Sequence, residues 1–229
     1  MYISKTRHLL YITDIDHHGP SGRMEHLSCF FPGLIALGLH ILPDSIYESP
    51  DEKLLFQHAA EGLAHTCWVL YADQATGVGP EEVVFEPYDS GASDSDEWES
   101  GRWINHVNEW LDKGKPKGKL KGVHNLSPPH RGRLDLPLDY DYKRPEYFMR
   151  PEVCLIRPNR GFDAGTDGCG QTIESVYLMW KTTGNSIWRE RGWEMFESVQ
   201  KCSTLPEGGM ASIKDVRNAT QGVMDDMPR

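Results

Sequence analysis

The chain has 229 residues, and its 34 aspartates and glutamates against 24 lysines and arginines give a formal net charge of −10. This length suits one globular domain or a part of a larger one. The excess of carboxylates argues against a nucleic-acid-binding protein, because phosphate recognition depends on clustered lysine and arginine side chains. We therefore expect no nucleic acid among its partners.

The sequence predicts neither a membrane helix nor a signal peptide. A membrane-spanning helix needs about 18 consecutive apolar residues, and the best candidate, residues 29–42, is shorter and is interrupted by Pro32, Gly33 and Gly38. The N-terminus lacks the apolar stretch of a signal peptide. Taken by itself, this pattern is typical of a soluble cytosolic protein.

The first half of the chain contains two predicted helices. Residues 25–40 are apolar enough for a buried helix, and Pro32 places the helical start near that position. A second, longer helix begins after Ser49, and Glu52 completes a capping box with it. Apolar residues follow at spacings of three and four up to Ala72, which predicts one face towards the core.

The second half of the chain contains three further predicted helices and two predicted loops. The helices cover residues 103–111, 172–183 and 186–202. The acidic, serine-rich residues 87–101 predict an exposed loop without fixed structure, and the lysine-rich residues 113–122 predict a solvated loop. Residues 82–86 form the single predicted strand. The predicted fold class is therefore all-α, built from antiparallel helix pairs.

Two glutamates stand out because of their neighbours. Glu152 follows Arg150 and Pro151, so the proline stiffens the backbone and the arginine could hold a polar ligand; the alternative is an ordinary surface loop. Glu174 lies in the first turn of a predicted helix, where the helix dipole favours a carboxylate that has no function. The residues alone leave both alternatives open.

The histidines and cysteines do not form a metal motif. The histidines near the N-terminus lack the spacing of a helical metal pair, which argues against zinc. His26 opens an apolar segment, where it is either a satisfied core histidine or a site residue. The five cysteines include no C-x-x-C pair, and a bridge between Cys29 and Cys67 is conceivable, although spacing cannot show it.

Several motifs follow one another in a recognisable order. They begin with His26-Leu-Ser-Cys29-Phe-Phe-Pro-Gly33 and the helical segment around Cys67, and they continue with Met149-Arg-Pro-Glu152, Thr172-Ile-Glu-Ser175, Arg191-Gly-Trp193 and Ala211-Ser-Ile213. Together these motifs resemble glycoside hydrolase family 47, the class I α-1,2-mannosidases. The resemblance covers nearly the whole chain.

The resemblance implies a fold, a reaction and a set of residue roles. The fold is a part of an (α/α)7 barrel with a Ca²⁺ ion at its floor. The reaction is hydrolysis with inversion, in which an acid and a base carboxyl leave room for a water molecule. By resemblance, the general base is Glu152, the ligands of the substrate and its water network are Arg150 and Glu174, an active-site residue is His26, and the family disulfide joins Cys29 and Cys67.

The resemblance also implies a substrate and a compartment. The substrate is a high-mannose N-glycan, from which a monomeric enzyme removes terminal α-1,2-linked mannose. A structural disulfide requires an oxidising lumen, so the resemblance predicts the endoplasmic reticulum or the Golgi, including a membrane-associated or degradation-linked role, in place of the cytosol.

The chain departs from the family pattern in one internal segment. In the family, the Arg-Pro-Glu motif continues directly into the Glu-Ser motif, whereas here 19 residues, 153–171, separate Glu152 from Thr172. Removing them restores the motif in frame, and the codons of Val153 and Gln171 can supply the two ends of an intron. We therefore interpret residues 153–171 as a retained-intron insert that displaces Glu174 from Glu152.

Residues 1–229 correspond by resemblance to an incomplete C-terminal part of the catalytic domain. The family's general acid precedes the motif of His26, and its Ca²⁺-binding threonine lies beyond Arg229, so we expect no metal ligand in this chain. We expect little or no hydrolysis, because general acid catalysis contributes roughly 10²- to 10⁴-fold. The alternatives are a catalytically inactive mannose-glycan-binding protein of quality control and a non-functional truncated gene model.

Overall fold

Helices form most of the regular structure in the computed structural model, which describes residues 1–17, 19–89, 97–133, 135–148, 171–205 and 210–219. The helices are α1 (Phe31–Ile41), α2 (Pro50–Ala72), α3 (Glu97–Gly101), α4 (Trp103–Asp112), α5 (Gln171–Thr183) and α6 (Ser186–Ser203). Short 3₁₀ helices at His26–Phe30 and Asp44–Ile46 precede α1 and α2. All five predicted helices are confirmed to within a few residues. None of the described helices is long and apolar enough to cross a membrane.

The start of α2 shows how local sequence determines a helix boundary. The hydroxyl of Ser49 accepts a hydrogen bond from the backbone N–H of Glu52 at 3.1 Å. The carboxylate of Glu52 in turn accepts from the backbone N–H of Glu48 at 2.6 Å. These two bonds satisfy N–H groups that have no partner within the helix, as a capping box does.

Helix α2 lies at the centre of the helical packing. Helix α1 packs against α2 and α5, α5 packs against α6, and α2 also contacts α5 and α6. Every residue of α2 from Leu63 to Ala72 is buried. The predicted single apolar face is therefore too narrow for the second half of α2, because neighbouring elements cover this part of the helix on all sides.

Seven short strands form three small antiparallel sheets in the part of the chain that the structure describes. Strand β1 (Tyr2–Ile3) pairs with β2 (Leu10–Tyr11), and β3 (Ile15–Asp16) pairs with β4 (Gly19–Pro20). The third sheet has the order β5 (Arg23–Glu25), β6 (Glu82–Phe85) and β7 (Tyr140–Arg144). The sequence pattern identifies β6 alone. Strands β1 to β4 have two residues each and are too short to show alternation.

A second hydrophobic cluster lies beside the main core. It joins one side of α2, at Ala59 and Leu63, to α4, to the β1–β2 hairpin and to the segment after α4. Leu120 and Val123 of that segment are buried within it. The prediction of a solvated loop over residues 113–122 is therefore wrong at Leu120, whose apolar side chain anchors the lysine-rich turns.

The prediction for residues 87–101 also needs correction. Residues 90–96 lie outside the described part of the chain, but residues 97–101 form α3 and not an unstructured loop. Trp98 explains the difference, because its ring packs edge-on against Tyr2 with a centroid separation of 5.9 Å. One large aromatic side chain is enough to fix a segment whose average composition is polar.

Candidate active site

His26 is the buried centre of the candidate site. It follows β5 directly, and its backbone N–H donates to the carbonyl of Glu81 at 2.8 Å. Its side chain is 4% exposed. Nε2 of the imidazole lies 2.6 Å from the phenol oxygen of Tyr71 on α2 and 3.3 Å from Oγ1 of Thr172 on α5. Side chains from two separate helices therefore converge on one ring nitrogen.

The surroundings of His26 also restrain the plane of its ring. The Tyr147 ring stands nearly perpendicular to it, at an interplanar angle of 82° and a centroid distance of 5.9 Å. The tautomer of the ring decides whether Nε2 donates to Tyr71 or accepts from it. Both hydroxyl groups lie at the same ring nitrogen, so together they fix the orientation of the imidazole.

Glu174 lies in the first turn of α5, two residues from Thr172. Its side chain is half-buried, and burial raises the pKa of its carboxyl group above the ordinary value. A carboxylate that only stabilised the start of a helix would have its charged form favoured by the helix dipole. Burial acts in the opposite direction, because it disfavours the charged form of the carboxyl group.

The first turn of α5 is tied directly to the segment that carries His26. The hydroxyl of Ser175 donates to the carbonyl of Cys29 at 2.6 Å and accepts from the backbone N–H of Gly33 at 3.1 Å. A Cβ atom at Gly33 would lie 2.6 Å from Oγ of Ser175 and 2.7 Å from its Cα. The absence of a side chain at Gly33 therefore allows α5 to approach, and this approach brings Thr172 within reach of His26.

A disulfide joins Cys29 to Cys67, with the two Cα atoms 5.8 Å apart. The pairing implied by the family resemblance is thus confirmed. The bond links the 3₁₀ helix that begins at His26 to α2, in which Cys67 lies four residues before Tyr71. Cys202 is a free, half-buried cysteine, whereas Cys154 and Cys169 lie outside the described residues.

Two of the predicted site residues are not placed. Arg150 and Glu152 lie outside the described residues, and so does the segment 153–170. The predicted roles of both residues, and the predicted displacement of Glu174 from Glu152, stay predictions. Of the predicted site residues that the structure describes, His26 and Glu174 are brought to the same region by Thr172 and Ser175.

Three residues of this region are not among the site residues predicted from the sequence. Tyr71 lies within the apolar face of a predicted helix and was therefore assigned to the core. Glu81 is 2% exposed, and its carbonyl binds the backbone of His26. Tyr147 is fully buried against the imidazole. The sequence offers one signal for any of them, namely the charged Glu81-Glu82 pair at the start of an otherwise apolar strand.

The described residues do not present a metal centre. Within the described ranges, no group of three or more histidine, cysteine, aspartate or glutamate side chains is placed to hold a metal ion. These residues therefore do not fit a Ca²⁺ site built from several carboxylates.

The sequence of the chain is similar to that of known proteins. The family model described as glycosyl hydrolase family 47 matches residues 1–228. The mannosyl-oligosaccharide 1,2-alpha-mannosidase MNS3 of Arabidopsis thaliana is 26% identical over 203 residues, which cover 86% of this chain and 24% of that protein. The endoplasmic reticulum mannosyl-oligosaccharide 1,2-alpha-mannosidase of Homo sapiens is 26% identical over 216 residues, 94% of this chain and 21% of that protein.

A solved structure gives the same result for the fold. The alpha-1,2-mannosidase from Trichoderma reesei matches with a TM-score of 0.61 at 19% identity, covering 98% of this chain and 34% of that one. The predicted fold class, a part of an (α/α)7 barrel, is confirmed by this likeness. The chain spans about a quarter of the length of the curated relatives named above.

Proposed function

Because the chain belongs to glycosyl hydrolase family 47, we propose that it forms part of an α-1,2-mannosidase that removes terminal α-1,2-linked mannose from high-mannose N-glycans. The names of the relatives support this substrate class, since they are mannosyl-oligosaccharide 1,2-alpha-mannosidases. The chain aligns with only a part of each relative, so the activity is proposed for the protein to which this part corresponds.

The single observation that carries the proposal is the convergence on His26. A buried imidazole that contacts Tyr71 and Thr172, with the half-buried Glu174 in the same helical turn as Thr172, provides hydrogen-bonding groups of both kinds. Sugar recognition needs such groups, because each hydroxyl of a sugar both donates and accepts.

The proposed reaction is hydrolysis with inversion. Glu152 acts as the general base, which takes a proton from water as the water oxygen attacks the anomeric carbon. The bond from that carbon to the leaving sugar oxygen breaks in the same step, and the family's general acid, which precedes the motif of His26, protonates that oxygen. In inverting glycosidases, the acid and base carboxyl groups stand about 6.5–9.5 Å apart, so that this water fits between them. Arg150 and Glu174 hold the sugar and the water, and burial raises the pKa of Glu174 above the ordinary value.

We propose Ca²⁺ as the cofactor because of the family resemblance alone. When bound, such an ion supplies positive charge that holds the hydroxyl groups of a sugar. The described residues of this chain do not supply a ligand set for it.

We propose the secretory pathway as the compartment. One relative is named as an endoplasmic reticulum enzyme, and the disulfide between Cys29 and Cys67 supports an oxidising lumen. Structural disulfides are rare in the reducing cytosol, so the disulfide outweighs the cytosolic interpretation of the composition.

One feature favours a second function, namely mannose-glycan binding without hydrolysis. The 19 residues 153–171 separate Glu152 from Thr172 in the sequence. If they hold the proposed base away from the sugar, the contacts around His26 can still bind mannose while the water is not activated.

The experiment that tests the proposal is incubation of the longer protein to which this part corresponds with a high-mannose oligosaccharide, because little or no hydrolysis is expected from the chain by itself. Released mannose is measured by chromatography, and its anomeric form is identified by NMR. We expect a β-mannose product, together with a loss of activity in Glu174→Gln and no loss in the exposed control Glu190→Gln. Binding without release supports the second function, and the absence of both binding and release rejects both functions.

A further inference from the structure

The loop between α2 and β6, residues 73–81, runs through the interior of the protein. Loops usually run over the surface, because a buried loop must satisfy its backbone polar groups away from water. Most residues of this loop are nevertheless buried, among them Asp73, Thr76, Val78 and Gly79. The loop starts two residues after Tyr71 and ends at the residue whose carbonyl binds the backbone N–H of His26. It therefore connects two contacts of the candidate site.

Hydrogen bonds to distant segments hold this loop in place. Oγ1 of Thr76 donates to the carbonyl of Val216 at 2.7 Å and accepts from the backbone N–H of Val78 at 3.2 Å. The backbone N–H of Glu81 donates to the carbonyl of Glu146 at 2.7 Å. The stretch between these anchors cannot shift far without breaking a buried hydrogen bond, which would leave a donor unsatisfied.

Gly79 lies between these anchors and faces the ring of Tyr71. A Cβ atom built on Gly79 would lie 2.6 Å from both Cδ2 and Cε2 of Tyr71 and 3.3 Å from Cζ. The backbone of Gly79 is not in the left-handed region that favours glycine, so its conformation does not require this residue. Lack of space, and not backbone conformation, is what excludes a side chain here.

The ring that faces Gly79 carries the hydroxyl that contacts His26. The phenol oxygen of Tyr71 lies 2.6 Å from Nε2 of His26. At its other end, the loop accepts the backbone N–H of His26 at the carbonyl of Glu81, at 2.8 Å. The loop therefore holds the backbone of His26 directly and the imidazole through Tyr71.

The ring of Tyr71 has space to move if the loop pushes it. Tyr71 also lines a groove of about 310 Å³ between the loop and α6, together with Trp68, Gly77 and Ser198. Carbon atoms in contact stand about 3.5–4.0 Å apart, so a methyl group at position 79 must displace the ring by about 1 Å. Such a shift can take the phenol oxygen out of hydrogen-bonding distance of Nε2 of His26 without unfolding the protein.

We propose that Gly79 is a positioning residue of the candidate site. Its missing side chain lets the ring of Tyr71 lie against the anchored loop, at the place from which the hydroxyl reaches His26. The proposal rests on the proposed function, because it assumes that His26 takes part in binding the terminal mannose. Gly79 offers no side chain to the sugar, so it acts through the ring of Tyr71.

The test compares four forms of the full chain, namely the wild type, Gly79→Ala, Tyr71→Phe and the double variant. The signal of the His26 ring is recorded by NMR with labelled histidine, and binding of the α-1,2-linked mannose disaccharide is measured by calorimetry. Gly62→Ala is the matched control, because its methyl group meets Leu10 at 2.8 Å, on the side of α2 that faces the second hydrophobic cluster.

We expect Gly79→Ala to move the His26 signal and to weaken binding of the disaccharide by about two- to ten-fold, the worth of one hydrogen bond. We expect Tyr71→Phe to give a similar loss of affinity, and the double variant to lose no more than Tyr71→Phe alone, since both changes remove the same contact. Gly62→Ala is expected to lower the urea midpoint, as Gly79→Ala does, without changing the His26 signal or the affinity.

An unmoved His26 signal in folded Gly79→Ala would overturn the proposal, and so would losses of affinity that add in the double variant. If Gly79→Ala does not fold, Tyr71→Leu is added to it, which removes the ring atoms that the methyl group meets. A folded product supports the contact, whereas one that unfolds although Tyr71→Leu alone folds would overturn it. A wild-type chain that does not bind the disaccharide would count against the proposed function, and the NMR comparison would still decide the role of Gly79.

Discussion

The phenol oxygen of Tyr71 and Nε2 of His26 lie 2.6 Å apart, although 45 residues separate them in the sequence. The contact joins the buried second half of α2 to the residue that follows β5. The disulfide between Cys29 and Cys67 joins the same two segments within four residues of this contact. A covalent bond and a hydrogen bond therefore fix one imidazole against one helix.

Replacing Tyr71 with phenylalanine tests whether this hydroxyl positions His26. We expect a loss of about 1 kcal/mol in the free energy of unfolding, the usual net worth of a buried hydrogen bond. We also expect weaker binding of the mannose disaccharide and a changed NMR signal of the His26 ring. Tyr177→Phe on the exposed side of α5 is the control, with neither effect. An unchanged ring signal in the Tyr71 variant would show that the hydroxyl does not act on His26.

Two glycines of α1 predict opposite effects of the same substitution. Gly33→Ala places a methyl group within 2.6 Å of Ser175, and we expect a loss of about 1–3 kcal/mol in the free energy of unfolding from the forced separation of α1 and α5. Gly38→Ala meets its nearest atom at 3.7 Å. We expect it to stabilise the helix by about 0.5–1 kcal/mol, because alanine is the better helix former. Urea unfolding measures both, and equal effects at the two positions would contradict the close contact.

Reduction of the disulfide predicts a large loss of stability. Cys29 and Cys67 are 38 residues apart in the sequence, and the chain-entropy relation gives about 4 kcal/mol for a closed loop of this length. We expect the double variant Cys29→Ala, Cys67→Ala to match the reduced wild type in urea unfolding. The control Cys202→Ser retains the disulfide and keeps its sensitivity to reductant. A wild-type chain that is indifferent to reductant would show that the bond contributes little.

The buried His65 predicts an acid-dependent loss of stability. Burial, aided by the charge of Arg191, lowers its pKa to about 3. The unfolded state binds a proton near pH 6.5, whereas the folded state excludes it, so stability falls as the pH drops from about 6.5 towards 3. The slope from this one group is at most about 1.4 kcal/mol per pH unit. The variant His65→Gln is expected to unfold with a flatter pH dependence in urea titrations between pH 6 and 4, and identical slopes would count against the assignment.

The segment 153–171 predicts a second transcript. We expect sequenced cDNA to contain a form in which the codon of Glu152 is followed directly by that of Thr172. The joined product carries the uninterrupted Arg-Pro-Glu and Thr-Ile-Glu-Ser motifs. Genomic sequence without intron ends at these two positions would disprove the insert.

The helices could be predicted from the sequence because their signals are local. A cap at Ser49 and apolar spacing along α2 depend on residues within one or two turns. The contact of Tyr71 with His26 depends on how two distant segments pack, and no local pattern carries that information. Tyr71 therefore looked like any other apolar residue of a core-facing helix.

The site was predictable only through ordered motifs. Neither His26 nor Glu174 could be separated from its structural alternative by residue type and spacing, and the order of the motifs is the reason for predicting both as site residues. The structure adds the burial of Glu174, which raises the pKa of its carboxyl group. The roles of Arg150 and Glu152 stay predictions.

Helix α2 takes part in both hydrophobic clusters, one on each side of the helix. Ala59 and Ala60 are neighbours on α2, yet Ala59 packs in the cluster with α4 and Ala60 packs in the main core beside the disulfide. Opening of α4 and the lysine-rich turns thus uncovers one side of α2 and leaves the cross-linked side intact. We therefore expect the backbone amides around Trp110 to exchange their hydrogens earlier than those around Cys67.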